Sequence, residues 1–244
     1  MNFITPLQML LDQGSCELQS ALENNDIALE TFQKIDSFLF REVLLTEQFQ
    51  RFDPTVQHLS IHARSVWVAS IRMAFSGQPY AVPPVVRTAL ESVCYAYLIH
   101  DDASLARVWL DRHKDEKSMR NSRNAFNSAV KTVKEKLNTL EDGLGDDIYD
   151  AYQQCINDGA HPNTGAIPKT RKLALGPNGF SEMYDETNDF YGLPSRKTRY
   201  ALASVASIGL LMCYILSLTL KCFNDLPSDQ LSPISKGIED LLTG

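Results

Sequence analysis

Cysteine is scarce in this chain and badly placed for cross-linking. Its 244 residues hold Cys16, Cys94, Cys155, Cys213 and Cys222, and no two stand at C-x-x-C spacing. An odd, scattered set excludes a disulfide framework and the paired-cysteine redox and zinc motifs. The thiols read as buried side chains in a reducing compartment, which sets the expectation of a cytoplasmic protein. Basic charge is also short: the formal net charge is -7. That balance excludes broad, unspecific attraction to nucleic-acid backbones and leaves room only for a local basic site. There is no P-loop, no G-x-G-x-x-G and no H-E-x-x-H. The G-x-S-x-G elbow of serine hydrolases is missing as well. Nucleotide hydrolysis, dinucleotide oxidoreduction and zinc or serine hydrolysis lose their usual signatures. No repeat or low-complexity tract occurs, and Gln8, Asp12 and Glu17 interrupt any apolar run at the N-terminus, so no secretory leader is expected.

What is present is helical patterning. Hydrophobic residues make up 44% and charged residues 22%, enough apolar surface to build a core. Apolar residues recur at helical spacing over residues 6–22 and 26–49, with Ile27, Phe32, Ile35, Phe38, Leu39 and Val43 on one side of the second segment. Asp53-Pro54 is a cap followed by proline at the first helical position, and Gly77 is a C-terminal stop for that third helix. A fourth helix is expected over 84–99, and a long charged fifth one from 101–104 to about 140. A sixth covers 147–157, and a short last one 233–242. Residues 161–195 hold four of the prolines and four of the glycines, so they read as irregular, with a possible hairpin about Gly176 and Gly179.

Residues 200–220 carry no charge and lie between Arg199 and Lys221. That length suffices to cross a bilayer. Ser204, Ser207, Ser217 and Thr219 dilute it, and small residues suit close packing in a bundle. The reading taken is a core helix, with a membrane span as the minority alternative. The expected fold is therefore all-α, a bundle of about seven to eight helices with one long irregular loop, about 158–195, before a buried C-terminal core helix. It forms a single domain, 1–244, in which residues 1–52 make an N-terminal helical pair, 53–225 the core and 226–244 a short terminal helix.

Three elements carry chemistry. Arg87 and Glu91 stand four apart beside the apolar stripe Val86, Leu90, Val93 and Tyr97. They form either an ion pair that braces a neighbouring helix, or a guanidinium fixed for a phosphate. His161-Pro162-Asn163 follows the sixth helix and places an imidazole, whose pKa lies near neutrality, on a rigid turn. It serves as general acid or base, or it braces a helix end. Arg112, Lys169 and Arg171 supply further cationic contacts, and Arg120, Arg123, Lys131, Lys134 and Lys136 add a basic bias to the fifth helix. His58 and His62 share a helix face, but no third metal ligand is evident nearby, so no metal and no cofactor are expected.

The strings Arg87-Thr-Ala-Leu-Glu91, Trp109-Leu-Asp-Arg112 and Asp158-Gly-Ala-His161-Pro-Asn163 resemble a group of uncharacterised bacterial helical proteins. These in turn look like distant relatives of the HEPN superfamily, rich in toxin and defence ribonucleases. The resemblance covers the middle of the chain, through His161. It implies metal-independent cleavage of RNA, or RNA binding, often across a homodimer. Active HEPN enzymes carry an arginine, a polar residue and a histidine four to six positions later on one helix. Here Arg123-Asn124 looks like the start of that motif and no histidine follows at that distance. The resemblance then implies a site assembled from separate elements: catalytic Arg87, Glu91 and His161, with Asn163, Arg112, Lys169 and Arg171 as ligand contacts. The alternatives are a non-catalytic dimerisation or protein-interaction module, and a membrane-associated protein through 200–220.

Overall fold

The computed structural model describes residues 6–160, 171–175, 181–185, 196–220 and 228–243. Over them the chain is all-α, with one two-stranded antiparallel sheet. Helices α1 (Pro6–Asn24) and α2 (Asp26–Ser37) meet at Asn25, whose side chain accepts from Ala28 N at 3.1 Å and caps α2. The segment read as one helix over 26–49 changes register. A π-helical stretch, Phe38–Leu44, follows α2, and a short α3 (Glu47–Gln50) restarts under a Thr46 cap.

Asp53 caps α4 (Pro54–Phe75) by accepting from Thr55 N at 2.7 Å, and Gly77 ends it with a left-handed φ of 71°. Helix α5 (Val82–Asp101) opens on two prolines in its first turn and lies against α4. The long fifth helix expected from 101–104 to 140 is broken twice. Helix α6 (Ser104–Leu110) runs into a 3-10 turn, Asp111–His113. Asp115 then goes fully extended and caps a new helix, α7 (Glu116–Phe126), through Ser118 N at 2.7 Å. A second break at Asn127 and Ser128 starts α8 (Ala129–Leu137). At the first break the physical reason is local: the Asp115 carboxylate offers the backbone a cap that competes with continued helix.

Helix α9 (Leu144–Cys155) follows Gly143, which takes a φ of 86°. A π turn, Ile156–Ala160, leads out of it. Within the stretch read as irregular, β1 (Arg171–Leu175) and β2 (Ser181–Asp185) pair antiparallel, Arg171 opposite Asp185. They flank residues 176–180, where the turn was expected. Helix α10 (Arg196–Leu220) contains the uncharged segment 200–220, and α11 (Ser228–Thr243) closes the described chain.

Helix α10 sits at the centre, packed on α5, α4, α2, α9 and α11. By length and composition it could cross a membrane, but 72% of its apolar window is covered by the other helices. Trp67 of α4 locks it in place by donating Nε1–H to the Val205 carbonyl at 2.9 Å. Phe32 of α2 meets the Trp67 and Phe75 rings edge to face, at 6.0 and 5.7 Å, so α2 belongs to the same core.

Candidate functional site

Arg87 lies one turn inside α5, four residues before Glu91, so their side chains share a face. The pair forms: Arg87 Nε and Nη2 each lie 2.9 Å from Glu91 Oε1. A third partner, Tyr152 of α9, completes it. Arg87 Nη2 donates to the Tyr152 hydroxyl at 3.3 Å, and the guanidinium carbon stands 5.0 Å from the centre of the Tyr152 ring. The Arg87 and Glu91 side chains keep 23% and 28% of their exposure, so the group is neither sealed nor fully solvated. Among the described residues nothing bonds the third guanidinium nitrogen, Nη1.

Burial works against the Arg87 charge, but Glu91 and Tyr152 outweigh it and hold its pKa above the ordinary value. Burial also raises Tyr152, and Glu91 adds to it while Arg87 opposes. Tyr95, one turn beyond Glu91, is raised by burial and by Glu91, against the pull of Arg112. Both phenols therefore stay neutral donors. Burial pushes the Cys155 thiol up to about 12, so it is no nucleophile.

Arg87, Glu91, Tyr95 and Tyr152 line an open cleft of about 420 Å³. One wall is α5, with Arg87, Glu91 and Tyr95. The opposite wall is α9, with Tyr149 and Tyr152. The break between α7 and α8 forms the third side, with Phe126, Ser128 and Lys131. Tyr95 stacks on Phe126 with ring centres 4.5 Å apart, which sets that break against α5. The Ser128 side chain does not cap α8, and the first N–H groups of a helix have no partner within it. The positive end of α8 thus borders the cleft. Lys131 is exposed and has no ion pair with a described residue. Two cations against one anion, three tyrosines and a helix N-terminus make a surface suited to an anion joined to a flat ring.

Of the residues expected from sequence, Arg87 and Glu91 come together as an ion pair. Arg112 is close enough for its charge to act on Tyr95. Arg171 stands in β1. His161, Asn163 and Lys169 lie outside the described residues. The last described residues before them pass near the α5 N-terminus: a Cβ on Gly159 would sit 3.1 Å from the Tyr80 carbonyl and 3.6 Å from Pro83, one turn before Arg87.

The basic strip is weaker than its composition suggests. Lys134 pairs with Asp146 at 2.6 Å, and Lys136 pairs with Asp101. His58 and His62 both sit on the exposed face of α4, and no cluster of three metal-ligating side chains occurs among the described residues. Tyr152, Tyr95, Tyr149 and the first turn of α8 went unforeseen, because nothing in the sequence near them signals the cleft. The Asn127-Ser128 pair is the one local signal that could have marked its edge.

Compared with known proteins, the chain matches no family model, no curated protein and no solved structure.

Proposed function

We propose that this chain is a HEPN-like RNA-binding protein and metal-independent ribonuclease. Its cleft between α5, α8 and α9 takes a phosphodiester of single-stranded RNA. The observation that carries this reading is Arg87: a guanidinium oriented by Glu91 and Tyr152, in an open cleft, with one nitrogen unbonded among the described residues. A fixed guanidinium is a strong phosphate donor, because its geometry costs nothing further to arrange. Lys131 and the α8 N-terminus add positive potential, and the tyrosine rings offer stacking that tolerates any base. His161 supplies general acid–base catalysis in this scheme, and Asn163, Arg112, Lys169 and Arg171 hold the flanking strand. The resemblance adds a toxin or defence setting to the proposal.

Binding of a labelled uridine oligomer, followed by fluorescence anisotropy, tests it. Lys131→Ala should weaken binding several-fold and lower the slope of log affinity on log salt by about 0.7, one phosphate contact. Arg87→Ala should cost about 10-fold or more, in line with the ~1.5–3 kcal/mol of a charge-assisted bond. His161→Ala should bind normally and lose cleavage. Unchanged affinity in both the Lys131 and Arg87 variants would remove RNA from the account.

A second reading rests on the Tyr152 contact. The Arg87–Glu91–Tyr152 group ties α5 to α9, which is what a brace in a non-catalytic interaction module would do. It predicts that Arg87→Ala lowers the melting temperature while RNA affinity and cleavage do not move.

A further inference from the structure

We infer, building on RNA as the ligand of the cleft, that the exposed face of α7 is the track along which the strand leaves it. The substrate is then a polymer held by several phosphates, not a mono- or dinucleotide. From Lys117 to Lys134 there is no acidic residue, in a chain that has 30 of them. The stretch carries Lys117, Arg120, Arg123, Lys131 and Lys134. Lys134 is committed to Asp146. Lys117, Arg120 and Arg123 are exposed, and none of them pairs with a carboxylate of a described residue. They recur three apart, so they are neighbours along one side of α7 with Asn124. Ser122 and Phe126 fall on the other side and are buried. Like charges so placed repel each other in the free helix, and a polyanion relieves that repulsion.

This face runs into the cleft without a break. Asn127 keeps helical φ and ψ, stands four residues after Arg123, and lines the cleft together with Ser128 and Lys131. On its inner side α7 packs on α6 and the 3-10 turn, which leaves the basic side open over its 11 residues, or about 16 Å. The side chains present choose the occupant. The exposed residues of α7 are Glu116, Lys117, Arg120, Asn121, Arg123 and Asn124, so there is no apolar group to insert into a lipid surface. The asparagine amides stand beside the cations and donate to phosphate and sugar oxygens, contacts that position a strand without reading its sequence. With a net charge of -7, the rest of the chain repels a polyanion and confines it to this path.

Anisotropy titrations of the full chain with a labelled 2′-O-methyl uridine trinucleotide and dodecamer test it; neither can be cleaved through a 2′-hydroxyl. Binding sites of this kind span about 4–16 nucleotides, so only the dodecamer reaches from the cleft along α7. The wild type should bind the dodecamer more tightly. Lys117→Gln/Arg120→Gln/Arg123→Gln keeps good helix formers and should leave circular dichroism unchanged. It should weaken the dodecamer about 10–100-fold at 0.1 M salt, lower its salt slope by about 2, and leave the trinucleotide unaffected. Each single change should lower the slope by about 0.7. Arg72→Gln, which removes an exposed cation from α4, should change neither oligomer. An unchanged dodecamer affinity in the triple variant overturns the inference while leaving the cleft reading intact. An equal loss in Arg72→Gln overturns it in favour of net charge. Release of the dodecamer by polyglutamate as readily as by unlabelled RNA overturns it in favour of an acidic protein segment. Failure of the cleft reading looks different: Arg87→Ala then leaves the trinucleotide affinity where it was.

Discussion

Trp67 has no exposed surface, and its contact with α10 turns on a single missing side chain. Gly209 lies directly against the indole: a Cβ there would sit 2.6 Å from Nε1 and 2.8 Å from Cε2. Two effects compete in Gly209→Ala. Alanine is the better helix former by about 1 kcal/mol. Overpacking a filled core costs about 1–3 kcal/mol. Here the obstacle is a rigid ring held by its own hydrogen bond to Val205, so it cannot swing aside. Overpacking wins, and the variant should lose about 1–2 kcal/mol in urea unfolding, with a changed Trp67 emission spectrum. A stabilised variant would mean that helix propensity dominates and that α4 and α10 sit further apart than described.

At the scale of elements, α8 and α9 are joined behind the cleft by Asp146. It pairs with Lys134 at 2.6 Å and accepts from Asn138 at 3.2 Å, while Lys134 also lies 4.9 Å from the Tyr149 ring centre. The hydrogen bond from Lys134 lowers the Asp146 pKa below its ordinary 3.8. The unfolded chain then binds a proton more readily than the folded one. The stability this pair contributes is therefore fully present above pH 3.8 and is lost as pH falls through the lower folded value. Asp146→Asn should melt slightly below the wild type at neutral pH, and the gap should narrow as pH falls below 3.8 and through the lower folded value. A gap that stays constant with pH would assign the effect to packing. Local signals of this kind also explain which helices were legible. Asp53-Pro54 and Gly77 bound α4 as read, since cap and stop act within one turn. Asp115 carries the same capping chemistry inside a charged, periodic run, and there the periodicity masks it. The π stretch at Phe38–Leu44 has no such signal; it buries Phe38, Leu39, Val43 and Leu44.

Across the whole molecule, long-range packing decides what short-range pattern cannot. Arg87 and Glu91 were legible because one helix sets their spacing. Tyr152 lies 65 residues away and meets Arg87 only because α9 folds back onto α5. The same logic bears on the domain. Residues 1–52 read as a helical pair, yet Phe32, Ile35 and Leu39 are buried in one cluster with Trp67 of α4 and Met212 of α10. A core shared in this way should unfold as one unit. Met212 is fully buried, so Met212→Ala should cost about 2–5 kcal/mol. In a Trp109→Phe background, Trp67 is the sole tryptophan and reports the α4–α10 contact. Its fluorescence and the helical circular dichroism should then fall at one urea midpoint, and Met212→Ala should shift both by the same amount. Were the circular dichroism to fall in two steps, with only the second moved by Met212→Ala, part of the helix would fold independently of α10, and the central helix would no longer organise the molecule.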